Sequence, residues 1–460
     1  MSGDGPAAIV SAALPKALRG LDHRVTVLSP LLRSVDPKAL SLARRLSKVE
    51  FDLGGERRAC EIYDGRTPAG IDLLFVGHEE LLHTAGSLTD GDPAEAAMRA
   101  GLFARAAAEV MITREPRVEL VHAHEWPGAA CLVAARERGA TALPMVLTLH
   151  DLSRLGDFDV RHAAVLGIPA SLQVPDAHGH ISVTRAGVRL ADRVTTVSPT
   201  AARSLLASDH PLRDDLAKLG ERLTGIPSGV DASVWNPVTD PSLPARFDPM
   251  DRTGKERCKG DLQQALALPV GGDVPLLSVL ATTPPADAPD LLVKTLPLLL
   301  RNDVQVVVQI GEGTEVASVL DELADRYPDR LKVRPFEDAM RHRIVAASDL
   351  VLVAARRAPA AFAQLYAHRY GAIPVARRVD AVADSVVDCD AKLATGTGFL
   401  FDEDSPEAML AACQRGLGAF TSRRAFAALS RRVMRIDHSW DRSARLYDGV
   451  YRTMGDPGRQ

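Results

Sequence analysis

Short apolar runs return along this chain at intervals filled by longer Ala-, Leu- and Arg-rich stretches, and that alternation limits its fold more than any other feature. The runs RVTVLSP (24–30), IDLLFVG (71–77), LVHAH (120–124), MVLTLH (145–150) and RVTTVS (193–198) are followed by PLLSVLA (275–281), VQVVVQIG (304–311), LKVRP (331–335), LVLVAA (350–355) and IPVAR (373–377). Strand-like runs separated by helical stretches read as βαβ units, which require parallel sheets covered by helices. The series breaks between Asn236 and Lys259, where Pro237, Pro241, Pro244, Asp248, Pro249 and Gly254 form a linker-like stretch. The expectation is an α/β chain with two Rossmann-like, doubly wound domains, 1–245 and 246–435, followed by a C-terminal segment, 436–460. Ligands of open α/β sheets lie beyond the carboxyl ends of the strands, so two such domains would hold substrates in a central cleft.

With 460 residues, 46% hydrophobic and 25% charged, the chain has the usage of an ordinary folded protein too long for one domain. Its net charge of −4, with basic residues spread along the chain, predicts no nucleic-acid partner. Cys60, Cys131, Cys258, Cys389 and Cys413 lie far apart with no C-x-x-C pair, which predicts reduced thiols, a cytoplasmic location and no disulfide framework. No run of about eighteen apolar residues and no basic-then-apolar leader is present, so neither export nor membrane insertion is expected. His122 and His124 would share a strand face beside Glu125, yet no further Cys/His cluster lies near them in sequence, and no metal is expected. Gly311–Gly313 reads as a turn, since two glycines after a strand are weak support for a phosphate cradle.

More specific signals come in order along the chain: ALPKAL (13–18), VHAHEW (121–126), ADRVTTVSPTAAR (191–203) and SGVDASVWNPVTDPSLPARF (228–247). They continue with HRIVAASDLVLV (342–353), QLYAHRYG (364–371), PVARR (374–378), TGFLF (397–401) and SWDRSARLYDGVY (439–451). In content, order and spacing these segments resemble the bacterial glycogen synthase and plant starch synthase family. The resemblance implies a GT-B fold whose last helix crosses back to the first domain, and transfer of glucose from ADP-glucose to an α-1,4-glucan.

Such a transfer without a metal needs cations and bare backbone amides around the departing diphosphate. Carried over position by position, the family's Lys-x-Gly-Gly loop falls on Gly3, Asp4, Gly5 and Pro6, and its following Asp on Ile9. So little chain precedes Gly3 that the family's first strand is expected to be absent from this sequence. The Arg and Lys loop of the second domain becomes Thr282–Pro289, with neither cation. The Arg-Arg-Thr-Gly-Gly segment becomes Arg377, Arg378, Val379, Asp380, Ala381, which places a carboxylate where phosphate would approach backbone. The Glu-Pro-Cys-Gly core becomes Ala358, Pro359, Ala360, Ala361, so the carboxylate that grips the donor sugar is lost. One such contact is worth on the order of 3 kcal/mol of transition-state stabilisation. His150 keeps a family catalytic position, Glu125 replaces an Asp, and Ser228, Tyr366, Arg356, Arg377 and Arg378 are the remaining candidates for holding a nucleotide sugar.

Three readings follow. The favoured one is a catalytically impaired or inactive paralogue with a glucan-binding, regulatory or scaffolding role; the alternatives are an active ADP-glucose-dependent glucosyltransferase with a remodelled site, and a transferase for another donor or acceptor. No cofactor is expected beyond a nucleotide sugar as substrate. The candidate partners are an α-glucan, a glycogen synthase or a second copy of the chain, because an incomplete sheet edge invites pairing.

Overall fold

The computed structural model describes residues 5–280, 288–311, 316–358 and 360–455. Gly3, Asp4, residues Thr282–Asp287 of the loop aligned with the family's Arg and Lys loop, Glu312, Gly313 and Pro359 lie outside them. The chain forms two compact units, one running to Ile226 and resuming at Ser443, the other Pro227–Arg442.

In the first unit a helix, Pro6–Arg19, leads to β1 (Thr26–Pro30), β2 (Ala43–Leu53), β3 (Glu56–Arg66) and β4 (Asp72–Gly77). Among the described residues these make a sheet of order β1-β4-β3-β2, parallel between β1 and β4 and antiparallel elsewhere. There follow β5 (Val121–His124), β6 (Met145–Leu149), β7 (Asp157–Asp159), β8 (His180–Ser182), β9 (Arg193–Thr196) and β10 (Leu223–Gly225). Of these, β7 and β8 pair antiparallel as a separate two-stranded sheet, and the others form a wholly parallel sheet of order β10-β9-β6-β5. Every residue of β6 is buried, as a central parallel strand covered on both faces requires. The helix Pro93–Thr113 starts where the Asp92 carboxylate accepts the amides of Ala94 and Glu95 and where Pro93 needs no partner. Its buried Ala96, Ala97, Ala100, Ala104 and Ala107 present a flat face to the core it shares with Ala129, Ala130, Val133 and Ala134 of the next helix, Glu125–Glu137.

The second unit contributes β11 (Leu276–Val279), β12 (Gln305–Ile310), β13 (Leu331–Pro335), β14 (Leu350–Val353), β15 (Ile373–Arg377) and β16 (Phe399–Phe401). Among the described residues they make a six-stranded parallel sheet of order β13-β12-β11-β14-β15-β16. The chain winds outward from β11 to β13, then returns to β14 on the other side of β11. That reversal leaves a crevice at the carboxyl ends of β11 and β14, where open sheets of this kind take ligands. The α/β class with parallel sheets is the one expected.

The division between units falls after Ile226, earlier than the 245/246 junction expected from sequence. The intervening Val230 and Trp235 belong to the second unit's core, packed with Phe247, Tyr366 and Tyr370. Trp235 is sandwiched between His342 and Tyr366, with ring centroids 3.8 and 3.7 Å away. At the other junction, the helix Trp440–Gly455 contributes to the first unit from Ser443 onward. There Tyr447 hydrogen-bonds Thr148 and Thr195, and the Tyr451 hydroxyl lies 2.7 Å from His122 Nδ1. No described helix is long and apolar enough to cross a membrane.

Candidate functional site

On the β14 side of that crevice lie the loops after β14 and β15, whose parallel register sets Val353 beside Ala376 and so brings the segment after Ala354 against that after Arg377. Four arginines converge there, and each is met by a carboxylate or carbonyl oxygen. Arg356 forks onto Asp290 with two contacts of 2.7 Å and reaches Asp404 at 2.9 Å through Nε. The fork holds the Asp290 carboxyl down at about 2. Arg378 donates to Asp402 at 2.9 Å, and Arg377 to the Asp402 carbonyl at 3.1 Å with Asp404 4.0 Å away. Arg357 donates to Asp380 at 3.0 Å, and the same Asp380 oxygen accepts the Ala358 amide at 3.0 Å. Four guanidiniums thus meet Asp290, Asp380, Asp402 and Asp404, each with a carboxylate of its own unit within 4.0 Å.

In the first unit, β5 and β6 run side by side with His124 opposite Thr148, so the residue just past β6, His150, comes level with the end of β5. His124 Nδ1 lies 2.9 Å from His150 Nε2, and the two rings stack with centroids 5.2 Å apart. His122 sits on the same strand face, bonded to Thr148 and to Tyr451. Burial holds all three imidazoles below the ordinary histidine range, His124 at about 4, so they are neutral near pH 7. Glu125, in a left-handed conformation at φ 58°, turns its carboxyl back to accept the amides of His150 at 2.6 Å and Asp151 at 2.9 Å. Burial pushes that carboxyl up to about 8 against the pull of both amides. His150 Nδ1 is buried with no hydrogen-bond partner among the described residues. Among those residues no His, Cys, Asp and Glu group is arranged to hold a metal ion.

Of the residues singled out from sequence, His150 and Glu125 are brought together in the first unit, and Arg356, Arg377, Arg378, Ala358, Asp380 and Ala381 in the second. Ala381 donates its amide to the Ala358 carbonyl at 3.2 Å, closing the two crevice loops on each other. Tyr366 is not available to a sugar: it is 4% exposed and stacked on Trp235. Ser228 is half-buried on the segment leading to the Val230–Ser439 bridge, and Ile9 lies half-buried in the first helix. The partners Asp290, Asp402 and Asp404, and His124 as the neighbour of His150, were not singled out from sequence. The acidic FDED run at the end of β16 was the signal available for two of them.

The starch synthase catalytic domain family matches residues 5–218. Glycogen synthase of Anaeromyxobacter dehalogenans is 35% identical over 467 residues, covering 98% of this chain and 96% of that protein. Glycogen synthase of Burkholderia thailandensis is 35% identical over 467 residues, covering 97% of this chain and 87% of that one. Among solved structures, the catalytic domain of starch synthase IV from Arabidopsis thaliana, bound to ADP and acarbose, matches at TM-score 0.90 and 24% identity over 98% of this chain and 96% of its own. Anabaena HepE in complex with UDP and glucose matches at TM-score 0.58 and 15% identity, covering 98% of each chain. The structural likenesses carry the GT-B fold and the sequence identity along nearly the whole chain carries the relationship: the chain belongs to the glycogen synthase and starch synthase family of glycosyltransferases.

Proposed function

We propose that this chain is a family member that no longer transfers glucose from a nucleotide sugar, and that it acts in glycogen metabolism by binding α-glucan or a genuine synthase. The observation that carries the reading is the pairing of Arg356, Arg357, Arg377 and Arg378 with aspartates and carbonyls of their own unit. A departing nucleoside diphosphate needs cations whose charge is not already cancelled. Here the arginines that could replace the family's lost Lys and Arg are neutralised at contact distance, and Ala358 supplies no carboxylate for the sugar.

One observation favours a second reading, an active ADP-glucose-dependent glucosyltransferase with a remodelled site. His150 keeps a buried, unpartnered Nδ1 on a rigidly held imidazole. An unmet buried polar atom costs about 1–3 kcal/mol, which a bound ligand would relieve.

The deciding experiment is transfer of labelled glucose from ADP-glucose, with UDP-glucose in parallel, onto glycogen. The reading expects no incorporation above background by folded protein that still co-sediments with glycogen or with a synthase. Incorporation abolished by the triple variant R356A/R377A/R378A would overturn it and establish the second reading.

A further inference from the structure

Three of the four crevice aspartates are substantially exposed, but Asp380 is 2% exposed. Its setting differs in kind. A charged residue is almost never buried this fully unless it is paired and hydrogen-bonded. Asp380 meets that condition through a single oxygen, Oδ2, which accepts both the Arg357 guanidinium and the Ala358 amide at 3.0 Å. One main-chain amide and one arginine converging on one anionic oxygen form the arrangement by which proteins hold the oxygens of phosphates and carboxylates. Here the anion is supplied by the chain.

The backbone records the cost of supplying it. Asp380 has φ 43°, in the left-handed region that disfavours residues with a Cβ. Glycine would adopt that conformation freely. Asp380 therefore sits strained, buried and charged at once, a combination that persists only where the surroundings over-determine it. The surroundings do so here: Ala381 is clipped to Ala358 by its amide, Val382 N bonds the Val379 carbonyl, and Ala381 and Val382 are buried in the core beneath.

We infer that the Asp380 carboxylate is a built-in anion that occupies the hydrogen-bond donors of the crevice loop and excludes an external phosphate from them. The inference rests on the functional reading above and names what stands where a diphosphate would be held. An incoming anion must displace a carboxylate already seated on Arg357 and Ala358, or approach it against like charge. With a glycine at 380 the left-handed backbone is kept without strain, the carboxylate is gone, and the Ala358 amide and Arg357 Nε are left facing a space of oxyanion size with no anion in it. With asparagine the shape is kept and the charge removed, but the amide oxygen still competes for the same donors, so the effect is smaller.

The test compares inorganic pyrophosphate and inorganic phosphate binding by isothermal titration to the full chain and to Asp380→Gly, Asp380→Asn and the double variant Arg357→Ala/Asp380→Gly. The expected result is that Asp380→Gly binds pyrophosphate at least about tenfold tighter than the unaltered protein. Asp380→Asn should fall between the two, and the double variant should lose the gain. A folded Asp380→Gly that binds no tighter overturns the inference, as does unaltered protein that binds pyrophosphate equally well. Should Asp380→Gly not fold, Asp380→Asn decides by the same comparison, binding tighter or not. The outcome is separable from that of the glucose-transfer assay. Transfer by the unaltered protein would sink the functional reading, whereas only the ranking of these variants speaks for or against Asp380 as the occupant.

Discussion

His368 Nδ1 lies 2.9 Å from His438 Nε2, and because His368 Nε2 faces the Thr397 carbonyl at 2.9 Å, the protons of both rings are assigned. A carbonyl only accepts, so His368 donates through Nε2; its Nδ1 is then the acceptor and His438 Nε2 the donor. The pair joins the helix Ala363–Arg369, directly after the crevice loop, to the segment entering the terminal helix.

Acid must break this pair. Burial lowers His368 to about 3 and His438 to about 4, so between those values and the ordinary 6.5 the unfolded chain takes up protons that the folded one refuses. Their contribution to stability is fully present above about pH 6.5 and is lost as pH falls. Linkage puts the loss near 2 kcal/mol per buried histidine at about pH 5. His368→Gln is expected to shrink the difference in unfolding free energy between pH 7 and pH 5 by about that amount, measured by urea titration at each pH. An unchanged difference would show that the pair does not titrate on unfolding.

Glu125 should give the opposite slope. Its carboxyl, pushed by burial to about 8 from 4.5, holds a proton in the folded state that the unfolded chain has already released. The contribution is present below about pH 4.5 and declines as pH rises toward 8, by about 1.4 kcal/mol per pH unit. Glu125→Gln keeps an oxygen for the amides of His150 and Asp151 and removes the titration. Between about pH 6.5 and 8 the variant should therefore gain on the unaltered protein in denaturant midpoint. A constant offset between the two would mean that Glu125 is already ionised.

The parallel sheets could be read from the sequence because their strands, such as Leu350–Val353, are buried on both faces and stay apolar throughout. The hairpin of β2 and β3 could not. Arg44, Arg45, Lys48, Glu50 and Asp52 leave no apolar run, and the strand exists because it pairs with Glu56–Arg66, with Val49 opposite Cys60 and Phe51 opposite Arg58. The site divides in the same way. Ala358 and Asp380 could be noticed one residue at a time, but the pairing of Arg356 with Asp290, 66 residues away, has no local signature. Arginines that sequence offered as free cations are therefore ion-paired in the fold.

Gly229 is tied to its position by a neighbouring backbone, and its replacement should be costly. A Cβ there would lie 2.7 Å from the backbone of Trp440, where Val230 donates to the His438 carbonyl at 2.7 Å. Backbone cannot swing away as a side-chain end can. Gly229→Ala is expected to destabilise the second unit by about 1–3 kcal/mol, lowering its melting temperature by several degrees. An unchanged melting temperature would show that the Trp440 segment moves freely.

The largest stability effect is expected at Trp235. Its ring is held between His342 at 3.8 Å and Tyr366 at 3.7 Å, with the Arg341 guanidinium 5.5 Å from its centroid, and it is 5% exposed. Below it, Asp240 accepts His342 at 2.6 Å and the Tyr370 hydroxyl. Truncation to alanine leaves a cavity bounded by Tyr366 and by the His342 and Tyr370 rings that Asp240 holds, so collapse into the space is resisted and the cost sits at the upper end for aromatic deletions, about 3–5 kcal/mol. Trp235→Phe restores part of both stacks and should cost clearly less. Hydrogen-exchange protection of the β14 amides, Leu350–Val353, reads the effect inside the second unit, because that strand shares a core with Trp235. Protection falling by a factor of hundreds in Trp235→Ala and by much less in Trp235→Phe is the expected ordering. Equal losses would mean that a phenyl ring restores neither stack and that only the indole fits between His342 and Tyr366.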